Sequence, residues 1–268
     1  MKTLYFILVA LSLVNGAIGQ TSQPCATCLP EGITFTTQAQ IDSFQVNYPN
    51  CTEIEGFVVI NGNDITNLNG LNVVTFIGGS LYIEWNETLT SLSMLENLTS
   101  IGGGLSIKGN YTLTNLTGLN SLTSIVGQLY IEENVALTSL TGLNNLTSIG
   151  GGLNIFGNDA LTSLTGLNNL TSIGGYNLYI GYNDALTSLS GLENLTSIEG
   201  TLSFEGNYAL TSLTGLNNLT SIGGYLSIGY TVDLTSLSGL EGLTSIGGLY
   251  VGYNDALTSL SGLEDLTS

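Results

Sequence analysis

Residues 102–125 read GGGLSIKGNYTLTNLTGLNSLTSI, and variants of this block fill most of the 268-residue chain. The block closes on an isoleucine that recurs at steps of 23 to 25 residues. The nine closing isoleucines are Ile54, Ile77, Ile101, Ile125, Ile149, Ile173, Ile198, Ile222 and Ile246. A fixed period of this length is typical of a solenoid, in which each coil buries its apolar edge against its neighbours.

The apolar positions of one block predict strands rather than helices. Within 102–125 they are Leu105, Ile107, Leu113, Leu116, Leu119, Leu122 and Ile125. Short alternations such as Leu-Ser-Ile, bounded by Gly and Asn, are typical of short strands and tight turns. The segments Leu-Thr-Ser-Leu and Leu-Thr-Ser-Ile bracket two further bends. We therefore predict three strand-like sides per coil and an all-β solenoid of about nine coils.

An asparagine follows the first strand of almost every coil. The column consists of Asn63, Asn86, Asn110, Asn134, Asn158, Asn183, Asn207 and Asn254, with Thr231 as the exception. Stacked amides bond along the axis of a solenoid and cover turn backbone groups. We assign this column a structural role in preference to ligand binding.

Residues 1–19 have the composition of a secretory signal peptide. Lys2 precedes an apolar run from Leu4 to Val14, and Ala17-Ile18-Gly19 forms a small-residue cleavage site before Gln20. The run is shorter than the ~20 apolar residues that a membrane helix needs, and no later stretch reaches that length. The expected localisation is secreted or cell surface, without a membrane span.

The charge of the mature chain excludes nucleic acid as a partner. Removing residues 1–19 leaves 20 acidic residues against Lys108 alone, a formal charge of −19. Such a surface repels phosphates and keeps a leucine-rich rod soluble. We expect no cofactor. Calcium is the alternative at Asn158-Asp159, Asn183-Asp184 and Asn254-Asp255, although the repeat typical of calcium-loaded solenoids is missing.

Residues 20–50 are expected to cap the solenoid. Thr37-Gln38-Ala39-Gln40 has the spacing of a capping box, and Ile41, Phe44 and Val46 would form the apolar face of a short helix. The cysteines, Cys25, Cys28 and Cys51, all lie before the first full coil. Because the chain is directed to an oxidising compartment, two of them should pair, in preference to redox or zinc chemistry.

The segment CTEIEGFVVI at 51–60, with a cysteine and a short helix upstream, resembles the opening of the receptor L domain. The resemblance extends over about 28–268, and the regular coils are more similar to leucine-rich repeats of bacterial surface proteins. It implies a right-handed β-helix over 51–268 and a Cys28–Cys51 disulfide in the cap. No kinase or cysteine-rich module follows, so growth-factor signalling is not implied. Because the chain stops one residue before a closing isoleucine, we expect a C-terminal truncation.

An enzyme is not expected. The mature chain has no Arg or His and a single Lys, whereas β-helix lyases and hydrolases need a basic residue or a convergent carboxylate pair. Glu132 and Glu133 are adjacent, but consecutive strand residues point to opposite faces. Ice binding through the threonine columns is a further alternative, disfavoured because each threonine is paired with serine.

What varies between coils is the outward side of the first strand. Exposed aromatics there alternate with carboxylates and amides, a composition typical of a protein- or carbohydrate-binding surface. The candidate ligand-binding residues are Tyr82, Trp85, Tyr130, Glu132, Glu133, Phe156, Tyr179 and Tyr182. We interpret the protein as a non-enzymatic extracellular binding or adhesion protein. The alternatives are cross-strand aromatic pairs that merely stabilise the sheet, and a structural spacer.

Overall fold

The computed structural model describes residues 26–175 and 177–268. The predicted signal peptide and Cys25 lie outside the described residues. The chain forms a parallel β-solenoid of about nine turns, as predicted, with two short helices near its start. Strands of successive coils pair in parallel, with leucine opposite leucine and isoleucine opposite isoleucine.

Two sides of each coil are β-strands. The long-strand sheet contains β2 Ile33–Phe35, β4 Val58–Ile60, β6 Leu81–Glu84, β8 Leu105–Lys108, β10 Leu129–Glu132, β12 Leu153–Phe156, β14 Leu178–Gly181 and β16 Leu202–Glu205. The short-strand side contains β1 Ala26–Cys28, β3 Cys51–Ile54, β5 Phe76–Ile77, β7 Ser100–Ile101, β9 Ser124–Ile125, β11 Ser148–Ile149, β13 Ser172–Ile173 and β15 Ser197–Ile198. The last two strands, β17 Ser221–Gly229 and β18 Ser245–Gly252, extend across both sides.

The third side differs from the prediction of a third strand. Its Leu-Thr-Ser-Leu segments are followed by turns, or in the first coils by the 3-10 helices Asn69–Leu71 and Ser93–Leu95. Isolated bonds still join the coils here, such as the 3.0 Å bond from the Thr138 amide to the Thr114 carbonyl. The turn backbone comes so close to the coil before it that a Cβ on Gly142 would lie 1.9 Å from the Leu116 carbonyl oxygen. On this side of the coil, close backbone packing takes the place of a regular ladder of hydrogen bonds between strands.

The interior is a stack of aliphatic side chains. Each central coil contributes seven inward leucines and isoleucines, and those of 102–125 are at most 1% exposed. Between them and the turns lies the asparagine column, which is also fully buried from Asn86 to Asn207. The interior departs from the repeat at few positions, such as Phe204 and Thr231, so most differences between coils lie at outward positions.

The assignment of Asn63 to this column is wrong. Asn63 is exposed, and the amide of Gly62 donates to the Asn86 side chain in its place, because the first coil is one residue shorter.

The N-terminal cap consists of α1 Gln38–Asp42 and α2 Phe44–Asn47. Thr37 and Gln40 form the predicted capping box. Ile41 and Phe44 are buried in the core, whereas Val46 is 81% exposed, which corrects its assignment to the apolar face. Residues two apart on a helix point to nearly opposite sides, so Val46 cannot share the buried side of Phe44.

Candidate functional site: the outward face of the long-strand sheet

The candidate residues occupy three outward positions of each coil. The second strand position carries Tyr82, Tyr130 and Tyr179, and the fourth carries Glu132 and Phe156. The residue directly after the strand is Trp85, Glu133 or Tyr182. Tyr82 and Trp85 are each 37% exposed, and the other members are half-buried or exposed. All eight side chains therefore belong to one face of the solenoid.

The position after the strand has a left-handed backbone. Trp85, Glu133, Tyr182, Tyr230 and Tyr253 have φ between 52° and 58°. Such a conformation costs a residue with a side chain on the order of 1–2 kcal/mol relative to glycine. Three intervening coils carry Gly109, Gly157 and Gly206 at this position, with φ of 64°, 65° and 63°. Bulky residues in this conformation at one place in several coils indicate a constraint other than backbone stability.

The glycines make room for the preceding large side chain. A Cβ on Gly109 would lie 2.4 Å from Cε3 of Trp85, and one on Gly206 would lie 2.8 Å from Cδ1 of Tyr182. The Trp85 and Tyr182 rings therefore lie flat over the next coil. This arrangement holds the rings in place along the face.

Lys108 organises the first half of the face. Its ammonium lies 2.9 Å from Oε2 of Glu132, 3.4 Å from Oε1 of Glu133 and 5.8 Å from the centre of the Trp85 ring. The hydrogen bond to Glu132 is the main cause that raises the pKa of Lys108, against an opposing effect of burial. The prediction that Glu132 and Glu133 diverge is wrong. Both carboxylates reach the same cation because the positive φ of Glu133 turns the chain at the strand end.

Three rings and one carboxylate form the second half. Phe156 stacks on Tyr179 with centroids 6.2 Å apart and meets Tyr182 edge-on at 5.4 Å. The hydroxyls of Tyr179 and Tyr182 each donate to Glu205 at 3.0 Å. Burial, followed by the bond to Glu205, raises the pKa of Tyr179 well above its usual range. These hydroxyls therefore stay protonated at neutral pH.

Two shallow troughs separate the tyrosines of the second strand position. The first, of about 280 Å³, lies between Tyr82 and Tyr130 over Ser106. The second, of about 200 Å³, lies between Tyr130 and Tyr179 over Asn154. Gln128 lines both troughs. The candidate set therefore does not form one continuous aromatic strip, because small polar residues interrupt it.

The structure leaves fewer oxygen ligands free at the proposed calcium positions than the sequence suggests. Asn158 and Asn183 are buried, and their side-chain oxygens accept bonds from the preceding coil at 3.1 to 3.3 Å. Asp159 and Asp184 lie in successive coils; burial, and then the charge of Asp184, raises the pKa of Asp159. Across residues 26–175 and 177–268 no three His, Cys, Asp or Glu side chains cluster with metal-ligand geometry.

The cap carries the disulfide that the resemblance implied. Cys28 and Cys51 are joined, with Cα atoms 5.7 Å apart and a sequence separation of 23. The bond links β1 to β3 at the start of the short-strand side. In the described part of the chain, no helix is both long and apolar enough to cross a membrane.

Comparison with known families agrees with this architecture. The Receptor L domain family matches residues 50–139, and the BspA type leucine-rich repeat region matches 131–257 in six copies. No curated protein matches the chain. The protein is thus receptor L-domain-like in its first coils and leucine-rich-repeat-like in the later ones. Its class is that of ligand-binding or protein-interaction repeat proteins. The receptor L domain match covers the first coils only, a shorter stretch than the resemblance over 28–268 had implied.

Sequence reasoning missed the polar residues between the tyrosines. Ser106, Asn154, Gln128 and Asn177 line the troughs but were not among the candidates. The signal was present in the alternation of large and small residues at one position of successive repeats. This alternation can be recognised only when the strand register shows that these positions lie side by side.

Proposed function

We propose that this protein is an exported, non-enzymatic binding module that uses the long-strand face to hold an extracellular protein or carbohydrate at a cell surface. The observation that carries the proposal is the set of bulky residues with positive φ at the strand ends. A scaffold selected for stability alone would keep glycine there, as it does at Gly109 and Gly206. A ligand surface accounts for retaining Trp85 and Tyr182 instead.

The absence of catalysis is part of the proposal. The described carboxylates of this face are occupied: Glu84 by the Ser106 hydroxyl, Glu132 and Glu133 by Lys108, and Glu205 by two tyrosine hydroxyls. A general acid and base for hydrolysis need carboxyl groups that reach a substrate. Incubation with polysaccharides and esters that yielded product would contradict this part directly.

The proposed extracellular location is supported by the signal peptide sequence, the cap disulfide and the receptor L domain match. Expression of the full chain in a secreting host should release a protein that begins at Gln20. Retention of residues 1–19 inside the cell would contradict export.

Binding is tested with the double variant Trp85→Ala, Tyr130→Ala on arrays of surface proteins and glycans. We expect loss of the wild-type partner with little change in melting temperature, because exposed rings contribute little to the core. Tyr208→Ala, at a tyrosine that is 42% exposed, is the matched control and should keep binding. Unchanged binding by the double variant, or its failure to fold, would favour the structural spacer.

A further inference from the structure

Tyrosines stand on alternate coils of the second strand position. The register places Tyr82, Ser106, Tyr130, Asn154 and Tyr179 side by side in five successive long strands. With neighbouring strands ~4.8 Å apart, the three tyrosines repeat at about 9.6 Å along the axis. The small residues between them leave the two troughs open.

The trough linings carry no charge. Hydroxyls and amides supply their polar side chains, namely Ser80, Ser106, Gln128, Asn154 and Asn177. The carboxylates Glu84 and Glu132 border the troughs, where they accept hydrogen bonds from Ser106 and Asn154, respectively. Lys108 pairs with Glu132 and Glu133. A chain with a net charge of −18 repels anionic ligands. The charge of the chain therefore disfavours an anionic ligand, and the hydroxyl and amide lining suits an uncharged, hydroxyl-rich one.

Asn154, which lines the second trough, carries an unsatisfied hydrogen-bond acceptor. Its amide nitrogen donates to Oε1 of Glu132 at 2.7 Å, but its side-chain oxygen is buried without a hydrogen-bond donor. An unpaired buried acceptor costs about 1–3 kcal/mol. A ligand hydroxyl would supply the missing donor if the Asn154 side chain turned its oxygen toward the second trough.

We propose that an extended, uncharged β-1,4-linked glycan lies along this column, with alternate sugar rings stacked on Tyr82, Tyr130 and Tyr179. Successive rings in such a chain are flipped, so every second ring presents the same face, at a repeat close to two strand spacings. The rings between them place their hydroxyls over Ser106 and Asn154. The inference rests on the proposed function, because it assigns the ligand of the same face.

An extended peptide does not fit the column equally well. Its side chains repeat on one face every two residues, or about 6.8 Å, which is out of step with tyrosines about 9.6 Å apart. An α-1,4-linked glycan is curved, so after a few sugar residues it would diverge from the straight row of tyrosine rings. The spacing thus distinguishes the proposed ligand from both.

The experiment is calorimetric titration of the secreted full chain with cellohexaose and N-acetylchitohexaose. Maltohexaose tests the linkage, and hexagalacturonate tests the charge. We expect binding of at least one β-1,4 hexamer and of neither control. Tyr130→Ser should weaken it about tenfold or more, since Tyr130 borders both troughs. Serine occupies this position at Ser106, Ser203 and Ser227, so the variant should fold.

Matched variants separate stacking from other effects. Tyr130→Phe keeps the ring and should retain binding, and Tyr208→Ala should be silent. Equal affinity for maltohexaose, binding unaffected by Tyr130→Ser, or no β-1,4 hexamer bound at millimolar concentration would each overturn the glycan. If the arrays then reveal a protein partner lost in the Trp85→Ala, Tyr130→Ala variant, the binding function stands and only the glycan is wrong.

Discussion

The side-chain oxygen of Asn158 accepts two hydrogen bonds from Asn134 of the preceding coil, one from the backbone amide at 3.2 Å and one from the side-chain amide at 3.3 Å. The amide of Asn158 in turn donates to the Ile131 carbonyl at 2.9 Å. Both asparagines are fully buried. Each amide therefore satisfies backbone groups of the turn that water cannot reach, which makes the column a part of the scaffold.

Replacing Asn158 by Ala should be strongly destabilising. Two buried donors of Asn134 lose their acceptor, at about 1–3 kcal/mol each. Urea unfolding followed by circular dichroism gives the loss. Asn145→Ala is the matched control, because Asn145 is exposed and makes a single 2.8 Å bond to the Asn120 carbonyl. Equal effects of the two changes would show that the buried column does not support the fold.

Thr231 offers the opposite test, because a threonine interrupts the asparagine column there. It has no side-chain amide to serve the preceding coil, where Asn207 occupies the same position. Thr231→Asn should raise the urea midpoint, since it supplies the acceptor that Asn158 supplies to Asn134. A lower midpoint would mean that the last coils pack too tightly for the amide.

Stability should depend on inward leucines and not on outward threonines. Leu119→Asp or Leu143→Asp places a charge at a position with no exposure and should cost several kcal/mol. Thr138→Ser or Thr162→Ser should be nearly silent. Thr138 is exposed, and serine keeps the hydroxyl that bonds to the Thr114 carbonyl. Comparable losses in both pairs, measured by thermal melting, would contradict the inward and outward assignment.

The sequence alone predicts the solenoid because the period and the inward pattern are local and repeated. Leu105 and Ile107 identify a strand by alternation, and Thr37 with Gln40 identifies a helix start. The third side was mispredicted because Leu-Thr-Ser-Leu carries strand propensity, whereas close backbone contact at Gly142 decides the outcome. The convergence of Glu132 and Glu133 was mispredicted because a positive φ at Glu133 leaves no trace in residue type. Both failures concern backbone geometry set by neighbouring coils.

The positive φ at Trp85 predicts an unusual order of stabilities. Trp85→Gly should be more stable than Trp85→Ala by about 1 kcal/mol, because alanine retains the cost of a left-handed backbone. At Tyr82, inside β6, the order should reverse, since glycine weakens a strand. Melting curves of the four variants test both signs. If the alanine variant were the more stable one at both positions, Trp85 would not be retained against the preference of the backbone for glycine.

The cap disulfide should be Cys28–Cys51, and Cys25 should not take part in it. Tandem mass spectrometry of non-reduced Glu-C peptides assigns the bonded cysteines, and the Cys25→Ser variant should keep the bond. Reduction should lower stability on the order of 3 kcal/mol, the chain-entropy value for a loop of this size. A Cys25–Cys51 peptide in the wild-type protein would contradict the pairing.

The raised pKa of Asp159 predicts a dependence of stability on pH. A carboxyl group whose folded-state pKa exceeds its unfolded value binds its proton more tightly in the folded state. Stability therefore falls as pH rises from the ordinary value of 3.8 through the raised one. Asp159→Asn should raise the melting temperature at pH 7 by roughly 1–2 °C and change little at pH 3. Asp184→Asn should show the same sign, because Asp184 is the charge that adds to the effect of burial. A lower melting temperature at pH 7 for Asp159→Asn would mean that Asp159 makes a stabilising interaction as an anion, and that cation binding between these coils must be measured directly.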